Sequence, residues 1–236
     1  MYENGNYDCE NNGELFLLNA LSKSNNLHTV FDIGANVGDY SLITRRINTN
    51  CRIIAFEPVP NTYRLLKDNI AESSIEAHNC ALGSISGTST IAVPQDSTLA
   101  SLLDYKQDCA GRTSENIEIE ILTGKEFILS NPDIKEISLL KIDTEGYEPE
   151  VLKGFGDFAS IANVIQFEYG KANLFSRYFL HDYFKDYSNE FYIGKLYPRG
   201  VRFYEQYNWD LDDLIGPNFV MVSKKRSDLV PLLLCH

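Results

Sequence analysis

Two successive segments near the start of the chain share one order: an apolar strand that ends in an acidic residue, then a turn, then a helix. The first, HTVFDIGANVGDYSLITRRI, has a strand ending at Asp32, a glycine-rich turn and a helical pattern from about Tyr40 to Ile47. The second, CRIIAFEPVPNTYRLLKDNI, has a strand ending at Glu57. Strands and helices that alternate at this spacing predict a mainly parallel sheet with helices on both faces.

The alternation continues to the end of the chain. The segments IEAHNCALG, KEISLLKID and ANVIQFEYG predict further strands, and EFYIGKLY, VRFYEQY and NFVMVSK follow without a full helix between them. The pattern predicts an α/β fold: a doubly wound, mainly parallel sheet with an antiparallel C-terminal hairpin. We expect one domain, 1–236, with a helical lead-in at 1–28, the site-bearing sheet at 29–223 and a variable loop at 95–116.

The charge of the chain disfavours two classes of partner. Its formal net charge is −12, so its surface is expected to repel nucleic-acid phosphates and anionic membranes. Its five cysteines form no C-x-x-C pair, which favours reduced thiols. The start of the chain is polar and acidic and no apolar run is long enough to span a bilayer, so we expect no membrane span and a cytoplasmic location.

The ends of the first two strands have the residue types of a nucleoside site. Gly34 and Gly38 permit a tight turn and the close approach of a ligand to the backbone. Glu57 follows Gly38 by 19 residues, where an acidic residue can accept hydrogen bonds from both ribose hydroxyls. A glycine-rich turn that binds nothing, with Asp32 as a helix cap, is the alternative interpretation.

The kind of nucleoside is indicated by the turn itself. The run G-A-N-V-G lacks the second and third glycines of the dinucleotide pattern G-x-G-x-x-G. The Asp32 carboxylate before it would repel a pyrophosphate but would suit the ammonium group of a methionyl cofactor. These features favour S-adenosylmethionine over NAD.

A second group of charged residues lies in the segment LLKIDTEGYE. Asp143 ends a strand that would neighbour the first strand, so it should face the same crevice as Asp32. Lys141 lies within a buried strand and requires a partner, because an unpaired buried charge is costly. A lysine–carboxylate pair in a cleft, with Glu145 in the following turn, is a candidate site. Glu148 is interpreted as an acid that offsets a helix dipole.

Several motifs together carry a family resemblance. In order from about residue 29 to 170, VFDIGANVGDYS, AFEPVPNTYRLLKDNI, CALGSISG, LLKIDTEGYEPEVLKGF and IQFEYG resemble the FkbM family of class I S-adenosylmethionine-dependent methyltransferases. The resemblance implies the class I methyltransferase fold, which is a Rossmann-like seven-stranded sheet. It also implies an enzyme that methylates a hydroxyl of a sugar, glycan or natural product, with S-adenosylhomocysteine as the other product. The implied cofactor-binding residues are Asp32, Gly34, Ala35, Asn36, Gly38, Glu57 and the Ala81–Leu82 backbone, and an NGE element adds Glu14.

The catalytic hypothesis concerns four residues. Asp143 or Glu145 would orient the acceptor, one of them acting as base, with their charge state fixed by Lys141. Glu168, at the tip of the fifth strand, is a second candidate base. No metal site is expected, since no histidine lies in these motifs; a divalent ion shared by Asp143 and Glu168 is the alternative. The rival functions are a non-catalytic cofactor-binding scaffold and an NAD-dependent oxidoreductase.

Overall fold

The computed structural model describes residues 8–94, 114–215 and 218–235. The strands are β1 Thr29–Ile33, β2 Arg52–Phe56, β3 Ile75–His78, β4 Ala81–Leu82, β5 Gly87–Pro94, β6 Ser114–Leu122, β7 Ile137–Ile142, β8 Ala162–Glu168, β9 Phe191–Tyr197, β10 Gly200–Tyr204 and β11 Asn218–Ser223. The α-helices are α1 Glu14–Lys23, α2 Asp39–Ile47, α3 Pro60–Asn69, α4 Gly124–Ser130, α5 Glu148–Phe155, α6 Asn173–Ser176, α7 Leu180–Tyr187 and α8 Val230–Leu233. Within these ranges, no helix combines the length and the apolar character that a membrane crossing requires.

The main sheet has eight strands in the order β10-β9-β11-β8-β7-β1-β2-β3. Strands β3, β2, β1, β7 and β8 are parallel, whereas β11 runs antiparallel to both β8 and β9. This topology confirms the predicted doubly wound, mainly parallel fold with its antiparallel hairpin. The sheet has one strand more than the seven of the implied family fold. The additional strand is β10, which the segment VRFYEQY predicted and which pairs with β9 across a two-residue turn.

Strands β4, β5 and β6 form a separate three-stranded sheet in the order β4-β6-β5. The segment IEAHNCALG, predicted as one strand, is therefore divided between two sheets. Its first part pairs with β2, whereas Ala81 and Leu82 pair with Ile121 and Leu122 of β6. Of the predicted variable loop at 95–116, residues 95–113 lie outside the described ranges, and 114–116 belong to β6.

Each face of the main sheet is covered by its own group of helices. On one face, Phe31 and Phe56 pack with Phe127 of α4 and Phe155 of α5. On the other face, apolar residues of β1, β2 and β7 pack with α1, α2, α3 and α8. Burial of both faces fixes the register of every parallel strand, because a shift by one residue would exchange the two sets of side chains.

The register brings the sequence-predicted acids to one edge. Asp32 of β1 lies beside Lys141 of β7, and Lys141 lies beside Gln166 of β8. The Asp143 amide donates to the Ile33 carbonyl at 2.9 Å, which extends the pairing past the strand ends. The crevice at the carboxyl edge is therefore bounded by the residues that follow β1, β7 and β8.

Candidate active site

Lys141 lies at the centre of the crevice and is almost completely buried. Its Nζ is 3.1 Å from Asp143 Oδ2 and 3.4 Å from Asp32 Oδ1. The Tyr40 ring lies 4.8 Å from the same nitrogen, measured to the ring centroid. Burial alone would lower the pKa of Lys141, but the carboxylates of Asp143, Asp32 and Glu14 outweigh it and raise the pKa. The lysine is therefore a fixed cation, paired as the sequence required.

Asp32 lies underneath the turn that follows β1. Its carboxylate has no exposed surface, and Ser41 Oγ donates to Oδ2 at 2.7 Å while Lys141 faces Oδ1. The structure thus places Asp32 as the buried counter-ion of Lys141. Its predicted contact with the ammonium group of a ligand stays a prediction.

Asp143, Glu145 and Glu168 form a carboxylate cluster at the surface of the crevice. One carboxylate oxygen from each lies within 4.8 Å of the other two, and all three residues are half-buried. Oxygen ligands at this spacing could hold a hard divalent cation such as Mg²⁺. The structure therefore brings together all four residues that the sequence proposed for catalysis.

The three carboxyl groups differ in pKa because their surroundings differ. Burial would raise the pKa of Asp143, but the Lys141 charge and the hydrogen bonds with Glu168 and Lys141 together outweigh it and hold that pKa below its usual range. Burial, followed by the charges of Asp143 and Glu145, raises the pKa of Glu168 well above its usual range. Burial and Asp143 raise the pKa of Glu145 to about 7. Asp143 is therefore ionised near neutral pH, whereas Glu145 titrates there and the pKa of Glu168 is shifted upward.

Glu148 has a role that sequence reasoning missed. Its side chain is fully buried, and Oε1 accepts hydrogen bonds from the Thr144 amide (2.8 Å), the Thr144 hydroxyl (3.0 Å) and the Gly146 amide (3.1 Å). These bonds hold the turn in which Glu145 adopts a φ of 54°. The interpretation as a simple dipole-offsetting acid is incomplete, since Glu148 positions Glu145. The sequence clue is an acid three residues after Glu145, with a glycine between them.

We expect Glu148→Ala to destabilise the protein by about 3 kcal/mol, because it leaves buried backbone donors without an acceptor. Glu148→Gln keeps an acceptor oxygen and should cost less. Burial raises the Glu148 pKa to about 7 in the folded state. This group therefore favours the folded state at low pH, and that contribution is lost as pH rises from the unfolded pKa through about 7.

Thermal unfolding followed by circular dichroism at about pH 5 and about pH 7.5 tests both expectations. The melting temperature of the wild type should fall more between these pH values than that of Glu148→Gln. Glu150→Gln is the matched control, because Glu150 is on the same helix turn but bonds to Ser84 and Lys153. Equal pH slopes for wild type and Glu148→Gln would contradict the assignment.

Glu57 lies at the end of β2 and is 6% exposed. Its Oε2 accepts from the Asn36 amide at 3.0 Å and its Oε1 from the Val59 amide at 2.9 Å. Burial raises the Glu57 pKa to about 7, an effect that these two amides partly offset. Each carboxylate oxygen keeps acceptor capacity, so the pair can accept two neighbouring hydroxyl groups.

The turn between β1 and α2 supplies a second test of fit to a nucleoside ligand. Asn36 has a φ of 49°, and its buried Oδ1 has no hydrogen-bond partner in the described part of the chain. An unsatisfied buried acceptor of this kind is unusual and is suited to a ligand donor. Together with the Glu57 carboxylate, it gives the crevice acceptors that fit the hydroxyl and amino groups of a nucleoside.

The glycines of this turn are required by the protein's own packing. A Cβ at Gly34, which has a φ of 79°, would lie 1.8 Å from the Asp143 carbonyl oxygen. A Cβ at Gly38, which has a φ of 94°, would lie 2.6 Å from Leu66 Cδ1. At both positions, the backbone is approached closely by other parts of the protein: by the residue that follows β7 at Gly34, and by α3 at Gly38. Ligand contact at Gly34, at Gly38 and at the buried Ala35 stays a prediction.

The remaining predicted cofactor residues lie at two sides of the crevice. Ala81 and Leu82 are buried and pair with β6. Glu14 lies at the start of α1, where Oε1 accepts from Gln166 Nε2 at 2.7 Å and Oε2 from Asn12 Nδ2 at 3.1 Å. Burial raises the Glu14 pKa, and the neighbouring Lys141 partly offsets this. Glu14 thus belongs to the buried network around Lys141.

Sequence reasoning missed two members of that network, Tyr40 and Gln166. The Tyr40 hydroxyl donates to Gln166 Oε1 at 3.0 Å, which links α2 to β8 across 126 residues of sequence. Gln166 Nε2 also donates to Asn218 Oδ1 at 3.1 Å. A glutamine inside the apolar strand VIQFE was the available sequence clue, because a buried amide requires partners.

Comparison with known proteins gives a consistent set of relatives. The family profile described as "Methyltransferase FkbM domain" matches residues 32–191. Methyltransferase sdnD of Sordaria araneosa is 32% identical, over 53% of this chain and 59% of the relative. Hexuronic acid methyltransferase AglP of Haloferax volcanii is 28% identical, over 58% of this chain and 53% of the relative. The 31-O-demethyl-FK506 methyltransferase FkbM of Streptomyces tacrolimicus is 28% identical, over 54% of this chain and 59% of the relative.

The chain thus spans more than half, but less than two thirds, of the length of these curated relatives. Among solved structures, the crystal structure of Methyltransferase FkbM from Methylobacillus flagellatus KT superposes with a TM-score of 0.50 at 16% identity. That match covers 83% of this chain and 44% of the other. At this identity, the match shows a shared fold.

Proposed function

The chain belongs to the FkbM methyltransferase domain family, as its motifs predicted, and from this premise we propose that it is an S-adenosylmethionine-dependent O-methyltransferase. One observation carries the proposal. The carboxyl edge of the sheet presents the Glu57 carboxylate, with two acceptor oxygens, and a cluster of three carboxyl groups that differ in pKa. The first group fits a nucleoside, and the second fits an acceptor hydroxyl that must lose a proton.

On this proposal, the cofactor lies against the β1–α2 turn and the end of β2. Glu57 accepts the ribose hydroxyls, and Asn36 Oδ1 accepts a further donor. Lys141, held by Asp32 and Asp143, sets the charge of the floor of the crevice. When bound, S-adenosylmethionine supplies an electrophilic methyl group and is released as S-adenosylhomocysteine.

We propose Glu145 as the general base. Its pKa of about 7 is close to neutral pH. A base with such a pKa is largely deprotonated at that pH and still has a high affinity for a proton. Asp143 has a lowered pKa, which makes it a weaker base, and Lys141 holds it in place as an acceptor for hydrogen bonds. Glu168, whose pKa is raised, forms a side-chain hydrogen bond with Asp143. Asp143 and Glu168 would then orient the hydroxyl that Glu145 deprotonates.

The names of two relatives support a proposal for the acceptor class. One relative is named for a hexuronic acid and another for a natural product, FK506. We propose a hydroxyl of a sugar, glycan or natural product, and a hexuronate is the first acceptor to assay.

We also propose that the reaction uses no divalent metal, because Lys141 already supplies the cation beside Asp143. The NAD alternative is disfavoured by the turn, which lacks the second and third glycines of the dinucleotide pattern.

Calorimetry with S-adenosylmethionine and S-adenosylhomocysteine tests the cofactor site. We expect micromolar binding, weakened by about 10- to 100-fold in Glu57→Ala, because hydrogen bonds to a charged acceptor are lost. Glu76→Ala is the matched control, since Glu76 lies on the neighbouring strand β3, level with Ile54 of β2, and pairs with Arg52 and His78. Binding of NAD in place of these ligands, or unchanged affinity in Glu57→Ala, would reject the proposed site.

A further inference from the structure

A cavity outside the candidate active site lies at the edge strand of the main sheet. It has a volume of about 710 Å³ and is lined by residues 202–209, from β10 and the segment that follows it. Trp209, the one tryptophan of the chain, lines this cavity and is 80% exposed. A large aromatic side chain with this exposure contributes little to the core.

The aromatic residues of the cavity are held in place by contacts with neighbouring side chains. The Tyr207 hydroxyl donates to Asp212 Oδ2 at 2.5 Å, and Asp212 Oδ1 accepts from the Leu180 amide at 2.8 Å. The Arg202 guanidinium lies 5.4 Å from the centroid of the Tyr204 ring. These contacts orient Tyr204 and Tyr207 before any ligand arrives, which lowers the entropy cost of binding.

The lining combines aromatic faces with flat hydrogen-bonding groups. Beside Tyr204, Tyr207 and Trp209 lie the side-chain amides of Gln206 and Asn208. A pyranose ring has one face of C–H groups, which pack on an aromatic ring, and a rim of hydroxyls, which bond to amides and charged groups. A cavity that offers both kinds of group therefore suits a sugar ring.

The cavity is linked to the candidate active site without sharing its residues. Asp212, which accepts from Tyr207, also accepts from the hydroxyl of Tyr169. Tyr169 directly follows Glu168 of the carboxylate cluster. Resting on the proposed function, we propose that this cavity binds a sugar unit of a glycan acceptor other than the unit that is methylated.

Fluorescence of the full chain tests this proposal, because its single tryptophan lies in the cavity. The probes are a galacturonate tetrasaccharide and the neutral cellotetraose, which separate charged from uncharged sugars. We expect a saturable blue shift of the emission with at least one of them. Tyr207→Ala, which keeps the fluorophore, should raise the half-saturating concentration by about tenfold. No saturable change with either probe up to about 10 mM would overturn the proposal.

Turnover separates this proposal from the function it rests on. Trp209→Ala should raise KM for a tetrasaccharide acceptor by about tenfold with kcat unchanged, and should leave KM for a monosaccharide unchanged. Trp209→Phe, which keeps an aromatic face, should recover most of the affinity. If the wild type does not bind S-adenosylmethionine, the methyltransferase proposal is rejected. The fluorescence titration would still measure sugar binding in the cavity. An equal rise in KM for both acceptors would overturn the sugar subsite.

Discussion

Glu145→Gln is expected to lower kcat by about 10²- to 10⁴-fold, which is the usual contribution of a positioned general base. The affinity for S-adenosylmethionine should stay within about threefold, because Glu57 lies at a different strand end. Burial and the neighbouring Asp143 raise the Glu145 pKa to about 7, and a base acts when it is deprotonated. The kcat/KM of the wild type should therefore rise with pH through about 7 and then level off, and Glu145→Gln should lack this rise.

Initial rates with a hexuronate acceptor, measured from about pH 5.5 to about pH 9, give this profile. Glu150→Gln is the matched control, because Glu150 lies in the same strand–helix segment but pairs with Lys153. Each assay is repeated with EDTA. A rate that is lost with EDTA and restored by Mg²⁺ would favour a mechanism in which a bound metal ion, rather than Glu145, activates the acceptor hydroxyl. Near-normal turnover in Glu145→Gln, with severe loss in Asp143→Asn, would transfer the role of base to Asp143.

The placement of the site could be predicted because it depends on local patterns and on one topological rule. Acids at the ends of β1 and β7 can be read directly from the sequence, and parallel strands end at the same edge of a sheet. The partner of Lys141 followed from the cost of an unpaired buried charge. These arguments need only the knowledge that β1 and β7 are neighbours, which the register of Asp32 beside Lys141 provides.

The parts that could not be predicted depend on three-dimensional detail. The contact between Tyr40 and Gln166 joins residues 126 positions apart, and no local pattern specifies it. The role of Glu148 depends on the geometry of one turn, in which Glu145 has a positive φ. The pKa shifts of the three carboxyl groups depend on depth of burial and on distances to neighbouring charges, neither of which a sequence specifies. The separate sheet of β4, β5 and β6 likewise reflects competition between two partner strands.

Lys141→Met is expected to destabilise the fold by about 3–5 kcal/mol, the usual cost of removing one partner of a buried ion pair. Asp32 has no exposed surface, so its carboxylate would remain buried without its counter-ion. Urea unfolding, which gives the unfolding free energy from the midpoint and slope, measures the loss. Lys153→Met is the matched control: Lys153 is half-exposed and pairs with Glu150, so its replacement should change stability by less than about 1 kcal/mol.

The double variant Lys141→Met/Asp32→Asn distinguishes loss of charge pairing from loss of packing. If the buried Asp32 charge causes the destabilisation, neutralising it should recover a large part of the stability, so the two substitutions should not be additive. Turnover should stay low in the double variant, because Asp143 also loses the cation that keeps it ionised. Additive losses of stability would mean that Lys141 acts through its packing against the Tyr40 ring, and the charge of the crevice floor would then need another source.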